Sequence, residues 1–221
     1  MAFRLDESGV LRCVEWERLE WLEHGFGTRR SEGWLPAEFS ADLKQVHGSV
    51  IVRAEAPGAR LCEGDALVAR RAGLWIRIRT ADCLPVLLAD ERRRVVAAVH
   101  CGWRGTRLEL AAAAVRRMGV EFGTDPGDVQ AAIGPGIGVC CFEVGPEVAV
   151  EFRGVFPERD DLDRRTTVDL EEAVARQLAG AGVDAGRVAR ASLCTHCNPE
   201  RFHSFRRDAT SSRMESGIRV K

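Results

Sequence analysis

The apolar positions fall into short runs rich in Val, Ile and Leu: VIVRA (50–54), DALVAR (65–70), LWIRIRT (74–80), PVLLAD (85–90), RVVAAVH (94–100), DVQAAIG (128–134) and RVARASLCT (187–195). Each has the length of a strand, and Gly, Pro or charged residues bound most of them. Two stretches carry a helical period instead. GTRLELAAAAVRRMG (105–119) is Ala-rich and closes on two arginines and a glycine, while DLEEAVARQLAGAG (169–182) opens with Asp169 and Glu172 at capping-box spacing. GPEVAVEFRGVF (145–156) is a third, less regular helix candidate, and the charge-dense PERDDLDRRTT (157–167) reads as a solvated loop. Strands dominate the first two thirds and helices enter mainly after residue 104. The pattern therefore predicts an α+β layered fold rather than an alternating Rossmann sheet. With no repeat and no low-complexity linker, residues 1–221 are expected to form a single domain.

Composition narrows the partners. The 221 residues are 45% hydrophobic, ample for a sizeable core, and the net charge of -1 gives no general attraction to nucleic acid or anionic lipid. The opening MAFRLDESGV has acidic residues where a signal peptide needs an apolar run, and no stretch approaches the length of a membrane-spanning helix. A soluble cytoplasmic protein is the expectation. Eight cysteines in such a chain are then thiols, metal ligands or core residues rather than disulfides.

Only five histidines occur: His24, His47, His100, His196 and His203. His47 in KQVHGSV precedes a strand, Cys83 sits where a strand breaks before Pro85, and His100 ends VVAAV ahead of the turn-forming CGWRG. One thiolate and two imidazoles suit a three-ligand zinc site that leaves a fourth position open. Two other readings stand beside it. The three are also explained as a buried cysteine and two hydrogen-bonded histidines, or Cys83 and His100 as nucleophile and base with Asp82 or another acid as orienter. Asp65 and Asp82 are candidate acceptors that fix a histidine tautomer, and equally plain turn residues. CTHC (194–197) resembles half a zinc knuckle whose partner half is missing, so Cys194 is expected to end a strand and Cys197 to be incidental. Cys140 and Cys141 flank the glycine-rich GPGIG turn without an assigned role. Arg104, Arg206 and Arg207 are candidate phosphate contacts, because guanidinium groups bind phosphate in a two-pronged fashion.

In order along the chain, KQVHGSVIV, GDALV, TADCLPVLLAD, VVAAVHCGWRGT, AAIGPGIGVCCFEVGPEV and the terminal CT, SFRRD elements resemble the multicopper-polyphenol-oxidase-like (laccase-domain, or YfiH) family over roughly residues 24 to 214. The resemblance implies a four-layered α/β/β/α sandwich with mixed sheets, related to a cysteine-hydrolase fold. It implies zinc on His47, Cys83 and His100, the catalytic trio, and phosphorolysis of adenosine, inosine or methylthioadenosine, with adenosine deamination alongside. Nucleoside and phosphate would be the partners. The alternative is a metal-free cysteine hydrolase using Cys83 and His100. Arg29 falls near the family's N-terminal Thr-Arg motif and would join the anion contacts, although SEGW follows it where the family tends to read Gly-Gly-Val-Ser. Phe142 and Phe205 stand where the family often has tyrosine, so no hydroxyl is available there. Copper suits imidazole donors as zinc does, but a multicopper centre needs about ten imidazoles, some as His-x-His pairs. Five histidines and no His-x-His rule that centre out.

Overall fold

In the computed structural model, which describes residues 3–221, six strands drawn from the apolar runs form one mixed sheet. Its spatial order is Val188–Arg190, Val129–Ile133, Leu84–Asp90, Val95–Cys101, Ala66–Ala69, Ile51–Arg53. The outermost strand on each edge pairs parallel to its neighbour and the inner pairs are antiparallel. Alternate residues serve two cores: Val86, Leu88, Ala97 and Val99 pack with helices Leu110–Phe122 and Leu170–Gly180, whereas Leu87, Ala89, Val96 and Ala98 pack with a second sheet. Burial on both faces is why these strands read as unbroken apolar runs.

The second sheet runs Phe3–Leu5, Leu11–Cys13, Leu22–Phe26, Met214–Val220, Trp75–Thr80, Ser40–Ala41. Leu11, Phe26, Ile76, Ile78 and Ile218 face the shared core. Its other face carries a partly buried ion-pair group, with Arg77 and Arg79 both on Asp42 and Glu215, and Trp34 packs edge-on against Trp75 at 5.4 Å between ring centroids. The architecture is thus the expected α+β fold with two mixed sheets face to face.

Several boundaries differ from the sequence reading. The first helix is split into Trp103–Arg107 and Leu110–Phe122 by Glu109, whose φ of 55° breaks the helical path, and it passes Gly119 to end at Gly123 with φ 71°. Phe122 packs against the core, which favours the extra turn. The 145–156 stretch yields only Pro146–Ala149 and a 3₁₀ turn, Val150–Phe152. The last apolar run gives a strand at Val188–Arg190 alone, and Cys194 lies beyond the sheet, in an isolated bridge to Gly136. Asp169 does cap its helix, accepting from the Glu172 amide at 2.9 Å. Among the described residues no helix is long and apolar enough to cross a membrane.

Candidate metal centre and substrate cavity

Strand register brings the trio together. Pro85 lies opposite His100 and Leu84 opposite Cys101, so Cys83, one residue earlier, continues the ladder toward Gly102. A side chain on Gly102 would meet Cys83 Sγ at 2.8 Å and His47 Cδ2 at 3.2 Å; only glycine leaves that space open. His47 arrives from the loop ahead of Ile51–Arg53, with its ring centroid 4.9 Å from that of His100. One donor atom from each of His47, Cys83 and His100 lies within 4.8 Å of the others. His47 is exposed, Cys83 half-buried and His100 buried, so the group opens outward on one side.

Asp65 organises the centre. Fully buried at the start of Ala66–Ala69, it accepts from His100 Nδ1 at 2.8 Å and from the backbone N–H groups of His47 at 2.9 Å and Gly48 at 2.7 Å. The first bond fixes the His100 tautomer and turns Nε2 toward Cys83. The others hold His47 in a left-handed backbone conformation, φ 58°, that a non-glycine residue adopts only under constraint. Asp82, also at positive φ, touches no histidine. Its carboxylate accepts from Thr195 Oγ1 at 2.6 Å and from the Arg206 amide at 2.7 Å, which ties the Cys83 turn to the C-terminal segment.

Electrostatics follow from this packing. Burial opposes ionisation of Cys83, but hydrogen bonds from His100 and His47 outweigh it and bring the thiol down to about 6. Burial likewise opposes charge on His100, and its bonds to Asp65 and Cys83 lift it to about 9. Asp65 itself is lowered, its own burial overcome by His100 and the loop amides. The neighbouring Cys101 is wholly buried and pushed far upward, so it stays a neutral core thiol. A thiolate beside two imidazoles, one of them oriented by a carboxylate, is a donor set suited to zinc or another imidazole-binding metal.

The trio forms part of the wall of a cavity of about 510 Å³, within the usual range for small-molecule sites. Phe142, Phe205 and Ile137 give it apolar surface, and Arg60, Arg79, Arg206 and Arg213 give it positive charge. Of the four candidate arginines only Arg206 is there. Arg207 is spent on backbone carbonyls, donating to Thr195, His196 and Phe202 at 2.9 Å each. Arg104 stacks over Trp103 at 4.4 Å, and Arg29 lines an adjoining cavity that shares Arg79 and Arg213 with this one, while donating to the Pro199 carbonyl. Arg60, Arg79 and Arg213 come from three distant segments, and no local motif marks them.

CTHC also departs from expectation. The half that seemed missing is supplied by Cys140 and Cys141, whose sulfurs gather with those of Cys194 and Cys197. All eight cysteines are free thiols.

Residues 29–221 match the family described as multi-copper polyphenol oxidoreductase laccase, and the chain belongs to that family. It is 43% identical over 180 residues to a purine nucleoside phosphorylase of Deinococcus radiodurans, covering 78% of this chain and 66% of that protein. It is 38% identical over 161 residues to adenosine deaminase RL5 of an unknown prokaryotic organism, covering 70% and 61%. The chain thus spans about 60 to 66% of the length of such curated relatives. The crystal structure of YlmD from Geobacillus stearothermophilus superposes with a TM-score of 0.87 at 26% identity, covering 99% of this chain and 98% of that one.

Proposed function

We propose that this protein is a zinc-dependent purine nucleoside phosphorylase, converting adenosine, inosine or methylthioadenosine and phosphate into free base and the corresponding ribose 1-phosphate, with adenosine deamination as a second activity. The observation that carries the reading is the cavity itself, which joins the His47, Cys83, His100 trio to two phenylalanine rings and four arginines. Relatives named for both activities support it.

Zinc on His47, Cys83 and His100 would supply a Lewis acid at one end of the cavity. The chain's own residues account for binding. Phe205, 57% exposed, and Phe142 offer flat apolar faces for a purine, and stacking on them excludes water from the base. Arg206, with Arg60, Arg79 and Arg213, anchors phosphate through charge-assisted hydrogen bonds. Arg79 is already directed by Asp42 and Glu215, so its guanidinium is pre-positioned. Asp65 keeps His100 in one orientation throughout. Cleavage at C1′ passes through an oxocarbenium-like state, and phosphate held by the arginines stabilises that developing positive charge as it attacks.

The test is incubation of the pure protein with inosine and phosphate, with and without chelator. Phosphate-dependent release of hypoxanthine and ribose 1-phosphate, lost on chelation, is expected; no phosphate-dependent base release from inosine or adenosine overturns the assignment.

The low thiol pKa of Cys83 beside a charged His100 also supports a second reading, a metal-free cysteine hydrolase in which His100 is the base that has taken the Cys83 proton, leaving Cys83 as a thiolate nucleophile, with Asp65, rather than Asp82, as orienter. Such an enzyme would survive chelation and be abolished by alkylation.

A further inference from the structure

Away from the cavity's catalytic wall, Cys140, Cys141, Cys194 and Cys197 point their sulfurs at one another, all four within 4.8 Å. Cys141 Sγ is 3.3 Å and Cys140 Sγ 3.7 Å from Cys197 Sγ. Four thiolates around one zinc at about 2.3 Å stand about 3.8 Å from each other in a tetrahedron, so these separations need only small adjustment. The backbone is arranged for it. The Gly138 amide donates to Cys194 Sγ at 3.3 Å, an N–H···S bond that stabilises a thiolate, and a side chain at Gly138 would meet the Cys194 Cβ at 3.1 Å. Arg207, paired with Asp208, is clamped on the carbonyls of Thr195 and His196 inside the Cys194–Cys197 turn and holds its shape.

We propose that these four cysteines form a second, structural zinc site, distinct from the His47, Cys83, His100 centre. All-thiolate coordination by four protein ligands leaves no open position, so this metal binds no substrate. Binding releases up to four protons as Zn²⁺ replaces them, leaving a centre of net charge minus two. What it secures is the far wall of the cavity. The Gly134–Phe142 loop and the CTHC turn meet through Thr195, whose amide donates to the Gly136 carbonyl at 2.9 Å and whose hydroxyl donates to Asp82. Ile137 donates its amide to the Asp82 carbonyl at 2.7 Å, and Ile137 and Phe142 line the cavity. Zinc would clip together the two segments that support Asp82, and through it the turn bearing Cys83.

The experiment counts zinc per chain by native mass spectrometry and elemental analysis on protein purified under reducing conditions. Wild type, C83A, C197S and the double variant C83A/C197S are compared, with circular dichroism to confirm folding. C83A is expected to keep one zinc, C197S to lose one relative to wild type, and the double variant to hold none. Because C83A leaves the four-cysteine cluster untouched, it decides the matter even where C197S fails to fold. Cobalt-loaded C83A should retain strong thiolate-to-cobalt charge-transfer absorption. Folded C83A without bound metal, or a disulfide within the cluster under the same reducing conditions, overturns the proposal. Failure of the catalytic-site reading looks different: zinc content would then be unchanged between wild type and C83A.

Discussion

The two sulfur-bearing clusters of this protein are built in opposite ways. His47, Cys83 and His100 sit at or beside the ends of strands in a sheet buried on both faces, with a fully buried carboxylate behind them and a cavity in front. Cys140, Cys141, Cys194 and Cys197 sit on two loops, two of them exposed, with backbone amides and no acid behind them. The first group has three donors and an open side, the second four soft donors and no opening. Donor count and support distinguish a place for chemistry from a staple.

Four perturbations test that contrast, the largest first. Replacing the exposed His47 with alanine removes a donor that faces the cavity, so kcat/KM for nucleoside phosphorolysis should fall on the order of a thousandfold, while the melting temperature changes little. C197S should do the reverse, and a variant pair behaving alike in both assays would erase the distinction. D65N keeps the shape of the support but not its charge. Competition with a chelator should then show metal affinity at the trio weakened roughly ten- to a hundredfold, with the four-cysteine cluster unaffected; equal loss at both would mean that Asp65 acts only on global stability. The smallest effect concerns acidity. In metal-stripped protein the Cys83 thiolate exists above its pKa of about 6 and is protonated below it. Its alkylation rate, followed by peptide mass, should therefore drop roughly tenfold from pH 7 to pH 5. Cys101 and Cys13, both buried and raised, should not react over that range.

The same contrast explains what was legible in the chain. Strands buried on both faces show themselves as apolar runs, so Leu84–Asp90 and Val95–Cys101, and with them Cys83 and His100, could be placed at strand ends. The second sheet was mostly invisible. Leu22–Phe26 carries Glu23 and Gly25, and Met214–Val220 carries Glu215, Gly217 and Arg219, because one face meets ion pairs and loop residues instead of a helix; His24, on the core side against Trp16, interrupts the apolar run further. Asp65 was visible as a candidate acceptor, but its four partners, His100 and the amides of Val46, His47 and Gly48, are a matter of tertiary folding. The four-cysteine cluster escaped because Cys140 and Cys141 are adjacent, unlike the spaced pairs of familiar zinc motifs, and lie far upstream of the other pair. Arg60, Arg79 and Arg213 converge from separate segments, which no local pattern reveals.

Strand Met214–Val220 lies in the interior of its sheet, between Leu22–Phe26 and Trp75–Thr80. During synthesis Leu22–Phe26 waits for a neighbour made roughly 190 residues later, about 10 to 40 s at ordinary translation rates. Until that strand emerges, Leu87, Ala89, Val96 and Ala98 face an incomplete cover. Over that interval the nascent chain carries apolar surface that is transiently uncovered and prone to aggregate.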